Sequence, residues 1–321
     1  MKIIDDLSSV NLNDDTILTI GAFDGVHRGH QCLIQQLVEA ARQTNRLAGL
    51  VTFYSHPNAV LSPHDPTRYL STPGEKAALL EKLGLDILAI LSFDQKMAQT
   101  SAQDFIAQVR RHLHLAELWV GVDFALGRRR EGDVEALRDM GRELGFTVRV
   151  IEPLTRQGQI ISSTRIRSLL LKGKVRQVAQ LLGRYPSLAG EVVRGSQRGH
   201  SLGFPTANLE VRKEQVVPAD GIYAAYARLG EEWHLGVANV GVRPSFEIAG
   251  ERIVEVHILD FFEEDIYGCD LVVEFVERLR DEVRFTDIEE LKAQIERDIA
   301  QARRILGEEK RGTGSELRNE G

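Results

Sequence analysis

The chain contains little cysteine. Its 321 residues include two cysteines, Cys32 and Cys269, which are far apart and lack the spacing of a metal site. Structural disulfides belong to oxidising compartments, so this usage favours a reducing cytoplasm. No apolar run reaches about 18 residues, the length that a membrane-spanning helix needs. Acidic Asp5 and Asp6 stand too early for a secretory signal peptide. We therefore expect a cytoplasmic protein that has no disulfide and no membrane partner.

An excess of positive charge is also absent. The chain has 40 Lys and Arg against 47 Asp and Glu, a net charge of −7. Such a balance provides no broad basic surface, so a nucleic-acid partner is not expected. Hydrophobic residues make up 43% and charged residues 27%, which is ordinary for a globular protein. The length favours two domains over one.

The most informative segment lies near the N-terminus, between an apolar run at 16–20 and a helical pattern at 31–42. Its sequence is Gly21-Ala22-Phe23-Asp24-Gly25-Val26-His27-Arg28-Gly29-His30. Glycines allow a backbone to approach a ligand closely. A helix N-terminus offers unpaired N–H groups and a partial positive charge to phosphate. The segment therefore predicts a phosphate site, and its candidate residues are Gly21, Phe23, Asp24, His27 and His30.

Two histidines at this spacing also fit a tight turn with surface side chains. They fit half of a zinc site as well, although no further cluster of Cys, His or Asp accompanies them. The complete string resembles the His-x-Gly-His signature of nucleotidyltransferases. That resemblance implies transfer of a nucleotidyl group from a nucleoside triphosphate, with release of pyrophosphate.

Strand-like and helix-like patterns alternate through the first half of the chain. The strand-like runs lie at 16–20, 47–53, 86–93, 117–124 and 147–154, and the helical patterns at 31–42, 74–83, 101–114 and 132–144. This alternation predicts an α/β fold with a doubly wound parallel sheet. Ligands bind such sheets at the carboxyl ends of the strands. Asp123 and Phe124 close the fourth run, so we expect them near the same crevice as His27 and His30.

A second phosphate motif follows the sheet pattern. Three hydroxyls, Ser162, Ser163 and Thr164, precede Arg165 and Arg167 at the start of a helical pattern. Hydroxyl donors, a helix dipole and fixed cations together suit a phosphate clamp. Taken alone, the segment fits an ordinary serine cap with solvated arginines better than a phosphate clamp.

The pattern changes near residue 184. Short strands dominate at 189–194, 221–228, 233–240, 253–260 and 271–278, followed by a helix at 287–306. Many short strands joined by Gly and Pro turns predict a small β-barrel. We therefore expect domains at 1–183 and 184–306, with a polar, disordered tail at 307–321.

The chemistry of the second half centres on Gly203-Phe204-Pro205-Thr206-Ala207-Asn208. Thr206 and Asn208 follow a rigid proline and can present two oxygen ligands to a phosphate-bound Mg²⁺. Upstream, Gly195 and Gly199 belong to a glycine-rich, basic segment that suits phosphate binding. Taken alone, these residues fit a loop followed by the start of a strand.

Further motifs accompany these segments. In the first half they are Thr52-Phe53, His56-Pro57, Glu75-Lys76, Leu83-Gly84-Leu85-Asp86 and Val120-Gly121-Val122-Asp123-Phe124. In the second half they are Asp220-Gly221-Ile222-Tyr223, 239–246, 254–261 and Ile266-Tyr267-Gly268. Residues 16–182 resemble the adenylyltransferase module, and residues 187–305 the riboflavin kinase module, of the bacterial bifunctional riboflavin kinase/FAD synthetase family.

The resemblance implies phosphorylation of riboflavin to FMN and adenylylation of FMN to FAD, with ATP as substrate and Mg²⁺ as cofactor. Catalytic roles fall on Glu255, His27 and His30. The first module would bind ATP through Gly21, Phe23, Asp24, His27, His30, Ser162, Ser163, Thr164 and Arg167, and flavin through Asp123 and Phe124. The kinase would bind ATP through Gly195, Gly199, Thr206 and Asn208, the last two also binding the metal.

The chain departs from the family pattern at a few positions. His200 stands where the family often has Arg, and Val242 and Ser245 stand where threonines are common. We expect these changes to lower affinity at most, because Thr206 and Glu255 are retained.

Three other functions fit parts of the sequence. An enzyme with one degenerate module, or a non-catalytic flavin-binding or nucleotide-binding regulator, predicts the loss of a key motif, and none is lost. A different nucleotidyltransferase fits the first module alone but not the attached kinase-like barrel. The expected partners are riboflavin, FMN and ATP, and self-association stays open.

Overall fold

The computed structural model describes residues 1–55, 60–61, 67–195, 202–242, 252–261 and 265–308. The chain forms two compact units, Met1–Ser163 and Thr164–Gly321.

The first unit is built on a six-stranded sheet in the order β1-β4-β3-β2-β5-β6, with every neighbouring pair parallel. Its strands are β1 (Lys2–Ile4), β2 (Thr16–Ile20), β3 (Leu47–Tyr54), β4 (Ile87–Ser92), β5 (Leu115–Gly121) and β6 (Thr147–Ile151). Its helices are α1 (Arg28–Gln43), α2 (Pro73–Lys82), α3 (Gln95–Gln99), α4 (Ala102–Leu113) and α5 (Val134–Leu144). A small hairpin joins β7 (Thr155–Arg156) to β8 (Gln159–Ile160). The predicted doubly wound α/β architecture is confirmed.

Strand β2 shows why helices cover both faces of the sheet. All five of its residues are buried. Because side chains alternate along a strand, Ile17 packs with Ile34 and Leu37 of α1 in one core. Leu18 packs in the opposite core, together with Ile106 of α4. A central strand that is buried on both faces therefore requires helices on both sides of the sheet.

The structure shifts some predicted boundaries. Strand β5 ends at Gly121 rather than at Phe124, because the chain turns there and the Phe124 N–H donates to the Gly121 carbonyl at 3.1 Å. Helix α1 begins at Arg28 rather than at residue 31, so His30 lies inside the helix and not before it.

The second unit contains a closed barrel in the order β10-β13-β12-β11-β14-β9. Its strands are β9 (Ser187–Val193), β10 (Ala207–Val211), β11 (Gly221–Leu229), β12 (Glu232–Val242), β13 (Arg252–Ile258) and β14 (Asp270–Arg280). Helices α6 (Ser163–Leu170) and α7 (Val175–Leu182) precede the barrel, and α8 (Ile288–Glu308) follows it. The predicted barrel is confirmed. Where the sequence indicated only a loop and the start of a strand, the structure has the complete strand β10.

Helix α8 packs on the outside of the barrel. Ala302, Ile305 and Leu306 join a core with Ala224 and Tyr226 of β11. The Tyr226 hydroxyl donates to the Leu306 carbonyl at 3.1 Å. Of the tail predicted at 307–321, the first two residues belong to this helix and the others lie outside the described residues.

Both cysteines are free thiols. Across the described ranges, no helix has the length and apolar character that a membrane crossing requires.

Candidate active sites

The first candidate site lies where β2 leads into α1. His27 is the N-cap of α1, and its Nδ1 accepts a hydrogen bond from the His30 backbone N–H at 3.3 Å. The two imidazole rings stack with centroids 3.6 Å apart, and the Phe23 ring lies 4.5 Å from the His30 ring. The predicted histidine pair therefore forms one rigid unit at a helix N-terminus, where anions bind.

Local backbone conformation explains why this loop has its sequence. Phe23 and Val26 adopt left-handed φ angles of 46° and 39°, which are costly for residues that carry a Cβ. Such conformations persist where surrounding structure holds them, often at functional sites. A Cβ at Gly29 would lie 3.2 Å from the His27 ring, so glycine lets that ring pack closely over the helix start.

The buried Asp24 carboxylate holds the loop in place through hydrogen bonds. Asp24 is 2% exposed, and its carboxylate accepts hydrogen bonds from the backbone N–H groups of Leu70 at 3.0 Å and Ser71 at 3.3 Å. The Ser71 hydroxyl in turn accepts from the Gly25 N–H at 3.1 Å. The Ser163 hydroxyl donates to the Asp24 carbonyl at 2.9 Å. These bonds fix the loop that carries His27, and they bring Ser163 of the second motif beside the first.

Lys76 is a buried charge that no sequence pattern predicted as part of the site. Its ammonium group donates to the Ala22 carbonyl at 2.8 Å and to the Thr52 hydroxyl at 3.2 Å. Burial lowers the pKa of Lys76, and the nearby Asp24 carboxylate opposes that shift. A lysine among the apolar residues of α2 was the available signal, but a single charged residue in a helix is usually solvated.

The surroundings of His30 disfavour its charged form. Burial lowers its pKa well below the ordinary value of 6.5, and the neighbouring His27 and Lys76 lower it further. Its Nδ1 is enclosed and finds no hydrogen-bond partner in the part of the chain that the structure describes. An unsatisfied buried polar atom in a native fold calls for an explanation, and a bound ligand is one.

The depressed pKa of His30 predicts a loss of stability in acid. Between the folded pKa and 6.5, the unfolded chain binds a proton that the folded chain does not. Stability should therefore fall as the pH drops below 6.5. Calorimetry from about pH 7 to about pH 5 should show a larger fall in Tm for the wild type than for His30→Gln. An equal fall in both proteins would contradict this assignment.

The other predicted residues of the first site lie on two further segments, the turn after β5 and the start of α6. Asp123 is exposed in the turn after β5, where its carbonyl accepts from Arg130 at 3.0 Å. Phe124 packs against the sheet core. Ser162 directly precedes α6, whose first residue, Ser163, ends the first unit, whereas Thr164 and Arg167 belong to the second unit.

The second candidate site is a polar row on the barrel. In the ladder register, Asn208 of β10 lies opposite Glu255 of β13, and Glu255 lies opposite Asn239 of β12. Residues in register share a face of the sheet. The flanking Ala238 and Val256 are fully buried, so the row lies on the outer face of the barrel. Asn239 belongs to the 239–246 motif but is not among the predicted site residues, and its enclosed Oδ1 has no partner among the described residues.

Gly195 and Asn208, predicted separately, are in contact. A Cβ built on Gly195 would lie 2.1 Å from the Asn208 Nδ2. Glycine at this position therefore provides the space that the Asn208 amide occupies. Thr206, half-buried, lies just before β10. Gly199, His200 and Ser245 lie outside the described residues, and Val242 is exposed at the end of β12.

The contact predicts that Gly195→Ala impairs FMN formation. The added methyl group collides with Asn208, which must leave its place in the polar row. We expect a loss of about tenfold or more in riboflavin phosphorylation, because a small misplacement in a site is costly. Conversion of added FMN to FAD should persist. Gly307→Ala, where a Cβ meets nothing within 4 Å, is the matched control. Normal kinase activity in Gly195→Ala would refute the prediction.

Comparison with known proteins connects both sites to one family. The family model described as FAD synthetase matches residues 9–165, and the model described as riboflavin kinase matches 182–306. The protein named "Bifunctional riboflavin kinase/FMN adenylyltransferase" from Escherichia coli (strain K12) is 39% identical over 294 residues, covering 91% of this chain and 93% of the relative. The protein of the same name from Bacillus subtilis (strain 168) is 34% identical over 91% of this chain and 92% of that protein.

A solved structure shares the fold. It is described as a macrolide-efflux protein from Streptococcus pneumoniae, and it superposes with a TM-score of 0.86 at 30% sequence identity. The superposition covers 94% of this chain and 98% of that one. The two family models together span both candidate sites except Arg167, and the named relatives match along nearly their whole length. The chain therefore belongs to the family of bifunctional riboflavin kinase/FMN adenylyltransferases.

Proposed function

We propose that this chain converts riboflavin to FMN in the barrel and FMN to FAD in the N-terminal domain, using one ATP in each step. These are the two activities of its family. One observation carries the proposal: each family domain retains its chemical residues, the stacked His27–His30 pair in one and the Asn208–Glu255 row in the other.

In the adenylylation step, a phosphate oxygen of FMN attacks the α-phosphorus of ATP. A new phosphorus–oxygen bond forms as the bond to the β-phosphate breaks, and pyrophosphate leaves. No protein nucleophile takes part, so the domain contributes positioning and charge stabilisation. We assign His27 and His30 to the ATP phosphates, because they meet at a helix N-terminus. The Asp24 and Lys76 contacts would hold this loop in place.

The same site needs further contacts to the two substrates. We assign Gly21, Phe23 and Asp24 to the ATP-binding loop. Ser162, Ser163, Thr164 and Arg167 would hold the β- and γ-phosphates, and Asp123 and Phe124 the flavin. The bond from Ser163 to the Asp24 carbonyl supports joint action of the two motifs. Loop donors and a fixed arginine are typical phosphate partners.

In the kinase step, Glu255 would accept the proton of the riboflavin 5′-hydroxyl. That oxygen attacks the γ-phosphorus of ATP, and ADP leaves. A carboxylate at the acceptor hydroxyl is a recurring part of phosphoryl transfer. Glu255 lies in register between Asn208 and Asn239. This register supports the role, because it places the proposed base beside β10, the proposed ATP-binding strand. Gly195 and Gly199 would contribute backbone groups to the phosphates.

The barrel residues fit Mg²⁺. The metal would be held by the Thr206 hydroxyl and the Asn208 amide oxygen, which are the hard donors that Mg²⁺ prefers. The Gly195 position supports the fit, because only a residue without a Cβ leaves room for the Asn208 amide. When bound with ATP, Mg²⁺ neutralises charge on the transferring phosphate. Few protein ligands are needed, since Mg²⁺ keeps several waters.

We also propose functional domains at 1–183 and 184–306, which the family matches at 9–165 and 182–306 support. A cytoplasmic location is supported by the free thiols of Cys32 and Cys269.

The proposal is tested by incubating the purified protein with riboflavin, ATP and Mg²⁺ and separating the flavins over time. FMN should rise first and then yield to FAD. FMN without FAD would contradict the role of the N-terminal domain. The absence of any product would favour a flavin-binding regulator.

A further inference from the structure

A histidine that the mechanism does not use ties the proposed base to the proposed ATP-binding segment. His257 follows Glu255 by two residues in β13, so both side chains lie on the same face of the barrel. The His257 Nδ1 lies 2.7 Å from the Pro205 carbonyl oxygen. A carbonyl only accepts, so Nδ1 carries the proton and donates it. The bond spans 52 sequence positions and joins β13 to the residue just before Thr206.

This hydrogen bond matters because it lies just before the point where the pairing of β10 with β13 begins. The register of β10 with β13 runs from Ala207 opposite Val256 to Leu209 opposite Val254. Thr206 precedes that register, and Pro205 has no backbone N–H to donate. The segment that carries Thr206 is therefore held to β13 by a side chain at the point where the ladder begins. The Phe204 ring meets the His257 ring edge-on, with centroids 5.8 Å apart, which adds a second contact.

We propose that His257 is a positioning residue of the kinase reaction, which holds Phe204 to Thr206 in the conformation that presents Thr206 and Asn208 to Mg·ATP. The inference rests on the proposed kinase site. His257 touches neither the transferred phosphate nor the flavin in this role, and it acts through the Pro205 carbonyl. Its loss should therefore weaken nucleotide binding more than it slows the chemical step.

Three variants isolate the donor atom. In His257→Asn, the amide Nδ2 stands close to where Nδ1 stood and can still donate to Pro205. In His257→Gln, the amide lies one carbon farther out, near the former Nε2. In His257→Leu, no donor remains. Loss of one hydrogen bond corresponds to about five- to tenfold in an equilibrium constant.

The experiment measures KM for Mg·ATP, kcat for riboflavin phosphorylation and the Kd of Mg·ADP by titration calorimetry. We expect His257→Asn, which keeps the hydrogen bond and loses only the ring contact with Phe204, to stay closer to wild type than the other two variants. His257→Gln and His257→Leu should show KM and Kd raised about five- to tenfold, with kcat within about threefold of wild type. The rate of FAD formation from added FMN should stay unchanged in all three.

Two results would overturn the inference. If His257→Asn were as impaired as His257→Leu, or if only Gln restored binding, donation from the Nδ1 position would not be the cause. A fall in kcat with unchanged KM and Kd would indicate a direct catalytic role instead. A wild-type protein that made no FMN would defeat the proposed function separately, and the Mg·ADP titration would still test His257. Should the Leu variant fail to fold, the Asn and Gln pair still decides.

Discussion

Glu255→Gln should lower riboflavin phosphorylation by about 100- to 10,000-fold, the range that a general base contributes. The amide keeps the size of the side chain and its place opposite Asn208 and Asn239, but it cannot accept the hydroxyl proton. Conversion of added FMN to FAD should continue at the wild-type rate. Flavin chromatography with either riboflavin or FMN as the starting flavin separates the two activities.

The matched control is Glu210→Gln, which changes an exposed glutamate on the adjacent strand β10. Both activities should persist in that variant. Residual kinase activity in Glu255→Gln within about tenfold of wild type would mean that Glu255 is not the base. Loss of both activities in a folded variant would contradict the assignment of two separate sites.

His30→Asn should lower the rate of FAD formation by about 100- to 1,000-fold, while FMN accumulates from riboflavin. Removal of one preorganised donor to a transition-state charge has an effect of that size. The variant keeps the start of α1, because the His27 Nδ1 accepts from the backbone N–H of residue 30 and not from its side chain. The stacked partner of His27 is lost, so the rigid pair is broken. The time course of both flavins is the measurement.

His112→Asn provides the control for this second prediction. The His112 Nδ1 lies 3.0 Å from the Val10 carbonyl, and an asparagine amide can keep that bond. FAD formation should be unaffected. A rate of FAD formation in His30→Asn equal to that of this control would remove His30 from the catalytic assignment.

Long periodic patterns made most of the fold predictable. The runs that became β2 and β3 are mostly apolar and mostly buried in the sheet, so their sequence alone indicated strands. Strand β1 was missed because it has three residues, two of them exposed, and exists through its pairing with β4. Strand β10 was predicted only as a start, since Pro205 and Asn208 also suit a loop. In both cases a distant partner strand decides the structure, and no local pattern carries that information.

The candidate sites, like the fold, were only partly predictable from local sequence. The proximity of His27 and His30 follows from their spacing around a helix start. The Asp24 carboxylate, by contrast, bonds to Leu70 at a separation of 46 residues, and the Lys76 ammonium to Ala22 at a separation of 54. The register that aligns Glu255 with Asn239 is set by the pairing of two strands. Motifs identified the chemical groups, whereas the contacts that hold them depend on tertiary structure.

The closure of the barrel has a consequence for folding during synthesis of the chain. Synthesis proceeds from the N-terminus, and domains generally fold as units in that order. A growing chain that has reached Ile151 already contains every strand of the parallel sheet. The ring, however, needs β14, which pairs with both β9 and β11. A chain interrupted before Asp270 leaves two unpaired strand edges, which are templates for aggregation. Premature termination would thus spare the FAD-forming half and leave the FMN-forming half as a hazard to the cell.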